Sequence, residues 1–151
     1  MTAYNIIDGN LLDSDATVIC HQVNCQGKMN SGVAKAIRNK YPRVYEEYVG
    51  YVDNNKDILG TVQYIHVGGF KYVANLFAQN NYGYDGRQYT SIEAFQKCLD
   101  DINKKCIGCT IAFPWKIGCV RGGADWNVVF NMIVETLKDV SSITFYRLDV
   151  G

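Results

Sequence analysis

Short β-forming runs alternate along the chain with stripes of apolar residues spaced three or four apart, and this alternation limits the fold more than any single motif does. Residues 2–7 and 16–21 are strand-like, and Val18, Ile19 and Cys20 are contiguous enough for a strand covered on both faces. Val33, Ile37 and Tyr41 mark the buried stripe of a helix that ends at Tyr41-Pro42, because a residue before proline is pushed out of the helical region. Tyr45, Tyr48, Val49 and Val52 suggest a second, short helix. Residues 61–67 and 72–77 read as strands joined by Gly68-Gly69, a spacing that suits a tight hairpin.

The second half continues the pattern. Thr90-Ser91-Ile92-Glu93 has the form of a capping box, in which hydroxyl and carboxylate each satisfy an N–H at a helix start. Ile92, Phe95, Leu99 and Ile102 supply that helix's apolar face, and Gly108 is placed to end it. Residues 110–113 form a buried strand, 114–124 an irregular segment, and Asp125 caps a helix whose core side is Trp126, Val129, Phe130, Ile133 and Leu137. Residues 143–148 make the last strand. The order β-β-α-α-β-β-α-β-α-β predicts one α/β domain over 1–151, a three-layer α/β/α sandwich around a mixed six-stranded sheet.

Charge narrows the partners. Fifteen basic and fifteen acidic residues cancel, and the basic ones are scattered, so neither general nucleic-acid binding nor attraction to a membrane surface is expected. An anionic ligand would be held by local backbone amides and one or two side chains, which points to a small molecule. Six cysteines, with no leader-like start and no apolar run long enough to span a bilayer, read as reduced thiols of a cytoplasmic protein. Cys106-Ile107-Gly108-Cys109 stands alone as a CxxC, so no metal or cofactor is expected.

In open α/β sheets, ligands sit beyond the carboxyl ends of strands, where loops meet helix N-termini. Two segments fit, 24–32 and 116–124. Each bears glycines that let backbone N–H groups approach a phosphate, and each feeds a helix whose N-terminal dipole favours an anion. Together they would clamp a diphosphate, although neither carries a dinucleotide fingerprint or a nucleoside-triphosphate P-loop, and the glycines could serve only as turns.

The stretches "DGNLLDSDATVICHQVNCQGKMNSGVAKAIRNKYP" and "FPWKIGCVRGGADWNVV" resemble the two ligand-binding loops, with flanking elements, of macro domains, the ADP-ribose-binding α/β sandwich. The blocks N-C-x-G and I-G-C resemble the branch that contains ADP-ribose 1''-phosphate phosphatases, ADP-ribose glutamate hydrolases and antitoxins that remove ADP-ribose from DNA. The resemblance implies ADP-ribose or a derivative as ligand, free or attached to a macromolecule, and assigns positions. Asn24 would meet the distal ribose; Gly27, Lys28, Met29, Ser31, Gly32 and Val33 would belong to the first loop. Gly118, Cys119, Val120, Arg121, Gly122 and Gly123 would belong to the second. Asn10 stands where the family carries an aspartate that reads adenine, with Leu11 beside it, and Tyr146 or Phe145 would stack on the base.

Carry-over of chemistry is uneven. Gln79 stands where the ADP-ribose hydrolases place a lysine, and Gly122 at or near an acid of the glutamate hydrolase; neither can do that chemistry. His21 matches a histidine of the yeast phosphatase. It would shuttle a proton or hold the phosphate as imidazolium, or else serve as a hydrogen-bonded core residue. These residues favour an ADP-ribose 1''-phosphate phosphatase with His21 and Asn24 as catalytic residues. The alternatives are a non-catalytic ADP-ribose-binding module, an ADP-ribosyl hydrolase of non-lysine mechanism, and an interaction protein without ligand. Cys25 reads as a packed thiol or a nucleophile, His66 as structural, Asp125 as a cap, and the tyrosine-rich 80–95 segment as a rim of the site or a cover of the core.

Overall fold

The computed structural model describes residues 2–83, 85, 87–120 and 122–148. Its elements run β1 (Tyr4–Asp8), a 3-10 turn (Leu11–Asp13), β2 (Val18–Asn24), α1 (Gly32–Lys40), α2 (Pro42–Asn54), β3 (Val62–Gly68), β4 (Lys71–Gln79), α3 (Ile92–Lys105), β5 (Thr110–Pro114), α4 (Trp126–Thr136) and β6 (Ser142–Arg147). The order is the one expected from the sequence. The six strands form one sheet, β1-β6-β5-β2-β4-β3, parallel throughout except for the β3–β4 hairpin.

Strand alternation builds the layers. Val18, Cys20, Ala74 and Leu76 face α3 and α4, packing with Phe95, Leu99, Ile102, Val129 and Ile133. Val23, Val73 and Phe77 face the other way, onto Ile37 of α1 and Val44 and Tyr48 of α2. A smaller apolar cluster of Leu11, Ala16, Ile19 and Ala112 lies under the 3-10 turn. Two helices on each face of a mixed sheet make the three-layer sandwich. No helix among the described residues is long and apolar enough to cross a membrane.

Two boundaries differ from the sequence reading, and both matter for the loops. β2 continues to Asn24, three residues beyond His21, because it pairs with β4 through a register shift at Val23/Asn24 that sets Asn24 opposite Gln79. The cap of α3 is Ser91, whose hydroxyl accepts from the Ala94 N–H at 3.1 Å, and not Thr90. Thr90 is used elsewhere: its hydroxyl donates to the Gly118 carbonyl at 2.7 Å.

Topology places the loops together. β2 and β5 are parallel neighbours, yet the helix after β2 lies on one face of the sheet and the helix after β5 on the other. The chain therefore parts at their carboxyl ends, which is the switch point where open α/β sheets form a crevice. β4, the other neighbour of β2, runs parallel to it and ends at the same edge.

Candidate functional site

A cavity of about 260 Å³ opens at this end of the sheet. Its floor is His21, Gln22, Val23, Asn24 and Gln79; one wall is Lys28, Asn30 and Ser31–Ala34, the other Pro114–Gly118, Val120 and Gly122, with Tyr82 and Gly83 at the side. The two glycine-bearing loops thus share one cavity.

The first loop is organised by a single amide. Asn24, buried at the end of β2, accepts through Oδ1 from the N–H of Gln26 at 3.0 Å and of Lys28 at 3.4 Å, and donates through Nδ2 to the Lys28 carbonyl at 2.9 Å. Tyr48, fully buried in α2, donates from below to the Asn24 carbonyl and to Oδ1, at 2.6 and 2.8 Å. Burial pushes the Tyr48 phenol well above its usual range, so it stays protonated as that donor. One N–H of the Asn24 amide is left over by these bonds. Gly27 and Gly32 have φ of 77° and 59°, which a Cβ disfavours. The loop ends at the first turn of α1, where Gly32, Val33 and Ala34 bring unpaired helix amides to the cavity wall.

The second loop is organised by close packing. Gly118 has φ 76°, and a Cβ there would lie 2.8 Å from Oε1 of Gln22. A Cβ on Gly122 would collide with the Thr90 hydroxyl and the Gly118 carbonyl, and one on Gly123 (φ 74°) would lie 2.7 Å from the Arg87 carbonyl. The N–H groups of Tyr89 and Thr90 both donate to the Gly122 carbonyl, at 2.7 and 3.0 Å. α4 contributes no amide to the cavity, in contrast to the expectation that both loops feed helix N-termini into it: Asp125 caps α4 itself, accepting from the Asn127 N–H at 2.9 Å.

His21 borders the cavity but is 1% exposed. Nε2 lies 2.5 Å from Oδ1 of Asn75, while Asn75 Nδ2 donates to Gln63 at 3.1 Å. An amide oxygen only accepts, so Nε2 carries the proton and Nδ1 is an acceptor; that Nδ1 is buried without a hydrogen-bond partner. Burial lowers the imidazole pKa from 6.5 to about 4, so the ring is neutral at pH 7. In the ligand-free chain Nδ1 is therefore a neutral acceptor at that pH.

Other expected residues lie outside this cavity. Met29 is fully buried beneath the first loop, in the cluster of Ile37 and Tyr48. Asn10 caps the 3-10 turn, its Oδ1 taking the Leu12 N–H at 2.9 Å, so part of its acceptor capacity is already used. Leu11 is buried and Tyr146 packs against its cluster; Phe145 is fully buried among Phe113, Trp115 and Trp126 and has no free face. Gly27, Cys119 and Gly123 shape the loops without lining the cavity. Arg121 lies outside the described residues. Cys25 and Cys119 have thiol pKa values raised by burial, the latter to about 11, which suits packing and opposes nucleophilic use. His66 Nε2 holds the Gly69 carbonyl of the hairpin at 2.7 Å. Among the described residues no group of three His, Cys, Asp or Glu side chains is arranged to hold a metal.

Several residues that line or support the cavity carry no local signal in the sequence. Lys116 adopts φ 62° to turn the second loop, Trp115 anchors it through its N–H to the Tyr146 carbonyl at 2.9 Å, and Gln22 and Thr90 meet across 68 positions of chain.

Comparison with known proteins agrees with this fold. The macro domain family model matches residues 20–133. The chain is 24% identical over 143 residues, 91% of its length, to the DNA ADP-ribosyl glycohydrolase of Mycobacterium tuberculosis, and spans 40% of that protein. It is 38% identical over 48 residues, 31% of its length, to the ADP-ribose 1''-phosphate phosphatase of Aspergillus clavatus, and spans 24% of it. Thermosipho africanus DarTG, solved in complex with ADP-ribose, superposes with a TM-score of 0.82 at 16% identity, covering 99% of this chain and 42% of that one, a likeness of fold. With the family pattern running through both cavity-lining loops and the sheet between them, this chain belongs to the macro domain family.

Proposed function

We propose that the chain binds ADP-ribose, or a derivative of it, in the cavity between the two loops, and hydrolyses the phosphate ester of ADP-ribose 1''-phosphate. The observation that carries the reading is the unpartnered Nδ1 of buried His21, beside a cavity whose rim supplies α1 amides, Lys28 and Lys116. Helix-end amides and the two ammonium groups suit a diphosphate. Asn24 offers its remaining N–H to the distal ribose. Nδ1 is buried in the ligand-free chain, so the step requires the bound ligand to open it to the cavity; His21, neutral at pH 7, then accepts a proton from water as the water oxygen bonds to phosphorus, the P–O bond to the sugar breaks, and the imidazolium passes the proton to the leaving oxygen. Asn75 keeps the ring oriented through Nε2–H in both states. The curated relatives supply the substrate class, since both are named for ADP-ribose chemistry.

A second reading, ADP-ribose binding without turnover, draws on Gln79 and Gly122, a neutral amide and a bare backbone where related hydrolases are expected to carry a lysine and an acid. The two are separated by measuring phosphate release from ADP-ribose 1''-phosphate alongside calorimetric binding of ADP-ribose. His21→Gln is expected to lower turnover about a hundredfold while leaving binding within a few-fold. Turnover unchanged in that variant removes His21 from the mechanism. Binding with no phosphate released supports the second reading, and no binding defeats both.

A further inference from the structure

We infer that Gln22 is a positioning residue which fixes the polarity of the cavity floor and holds the second loop at the same time. Its Nε2 donates to Oε1 of Gln79 and to the Thr90 hydroxyl, each at 2.7 Å. Gln79 in turn donates from Nε2 to the Asn81 carbonyl at 2.8 Å, and Thr90 donates to the Gly118 carbonyl at 2.7 Å. The chain of bonds therefore ends on a backbone carbonyl at each side. Carbonyls accept only, so every donor between them has one permitted direction, and Gln22 must point its NH2 inward. A flipped Gln22 amide would set oxygen against oxygen at both contacts.

Two consequences follow from that direction. Gln79, half-buried in the floor, is compelled to receive through its oxygen and keeps one N–H uncommitted, so the floor presents a neutral donor beside Asn24. A donor suits an anionic or hydroxyl oxygen of a ligand, where a carbonyl would repel it. Thr90, held as acceptor by Gln22, fixes the Gly118 carbonyl, and the Tyr89 and Thr90 amides fix that of Gly122. The price of the arrangement is Gln22 Oε1, which is buried with no partner and packed against Gly118. An unsatisfied acceptor in a wall that also requires three glycines is retained for what the other end of the amide does.

None of the groups bonded to Gln22 titrates, and the titratable groups sharing the cavity are His21, Lys28, Tyr82 and Lys116. Gln22→Glu therefore gives a pH-dependent test. Ionised, the carboxylate has no donor for Gln79 or Thr90; protonated, it regains one, and burial among acceptors raises its pKa. The assignment rests on the proposed ligand for one readout and is independent of it for the other. In ligand-free protein at pH 8, amides of 118–124 are expected to exchange about tenfold faster in Gln22→Glu than in the unsubstituted chain, with the difference shrinking at pH 5.5. ADP-ribose affinity is expected to fall about tenfold at pH 8 and to recover in part at pH 5.5, since the protonated carboxyl replaces one of the two donors, while that of the unsubstituted chain changes little. Should the variant fail to fold, the Gln79 side-chain amide protons of the unsubstituted protein provide the check: they shift on titration with ADP-ribose if the uncommitted N–H meets the ligand. Equal losses at both pH values, unchanged exchange at pH 8, or an unmoved Gln79 amide overturns the assignment. Failure of the unsubstituted protein to bind ADP-ribose defeats the proposed function instead, and leaves the exchange comparison to decide the role of Gln22.

Discussion

The two loops that meet at the cavity both contain glycine, and for different physical reasons. In the first, Gly27 and Gly32 sit in open space with nothing within 4 Å of a built Cβ, so glycine is needed for backbone angle alone. The shape of that loop comes from Asn24 and Tyr48, two side chains that gather its amides and carbonyls from beneath. In the second, Gly118, Gly122 and Gly123 lie against Gln22, Thr90 and the Arg87–Gln88 backbone, and the shape comes from absence of side-chain volume. Both loops are hydrogen-bonded to buried polar groups, but only the second also leaves no room for a side chain at its glycines. Substitutions should therefore fail differently in the two.

The largest loss is expected in the packed loop. Gly122→Ala forces a methyl group into the Thr90 hydroxyl and the Gly118 carbonyl, and should destabilise the fold by about 3 kcal/mol in chemical denaturation while abolishing ADP-ribose binding. Next comes the floor between the loops. His21 has a folded pKa of about 4 against an ordinary 6.5, so the unfolded chain takes up its proton first as pH falls. Stability contributed by the neutral ring is present above pH 6.5 and is lost progressively toward pH 4, by on the order of 3 kcal/mol, and His21→Gln should flatten that part of the profile. Asn24→Ala removes the organiser of the first loop and leaves the Tyr48 hydroxyl with the backbone carbonyl alone, for about 2 kcal/mol and faster amide exchange at 25–31, with 118–124 unchanged. The smallest effect is Gly27→Ala, about 1 kcal/mol, because only the backbone angle resists it. A Gly27 variant as damaged as the Gly122 variant would erase the distinction between the loops.

The sequence exposes much of this and conceals a definable part. Alternating apolar runs placed every strand and helix in order, and Asp125 caps α4 where expected, because periodicity and caps are local signals. Thr90-Ser91 shows the limit. Either hydroxyl satisfies a capping pattern, and the choice is made by Gly118 and Gln22, far away in the chain. Tyr48 looks like one more residue of a helical stripe, and nothing local reveals that its hydroxyl lies under Asn24. His21 is legible as a candidate and its charge state is not, since the imidazole pKa follows from burial that only the packed sheet supplies. Gln22 is the clearest omission: a polar residue inside an apolar strand reads as an exception until its partners arrive from β4 and from the segment before α3.

Whether the loops act as one site is tested most directly by titrating isotope-labelled protein with ADP-ribose and mapping backbone amide shifts. Residues 24–34 and 115–122 should move together, with a single saturation curve describing both. Shifts confined to one loop, or two curves with different midpoints, would contradict a shared cleft.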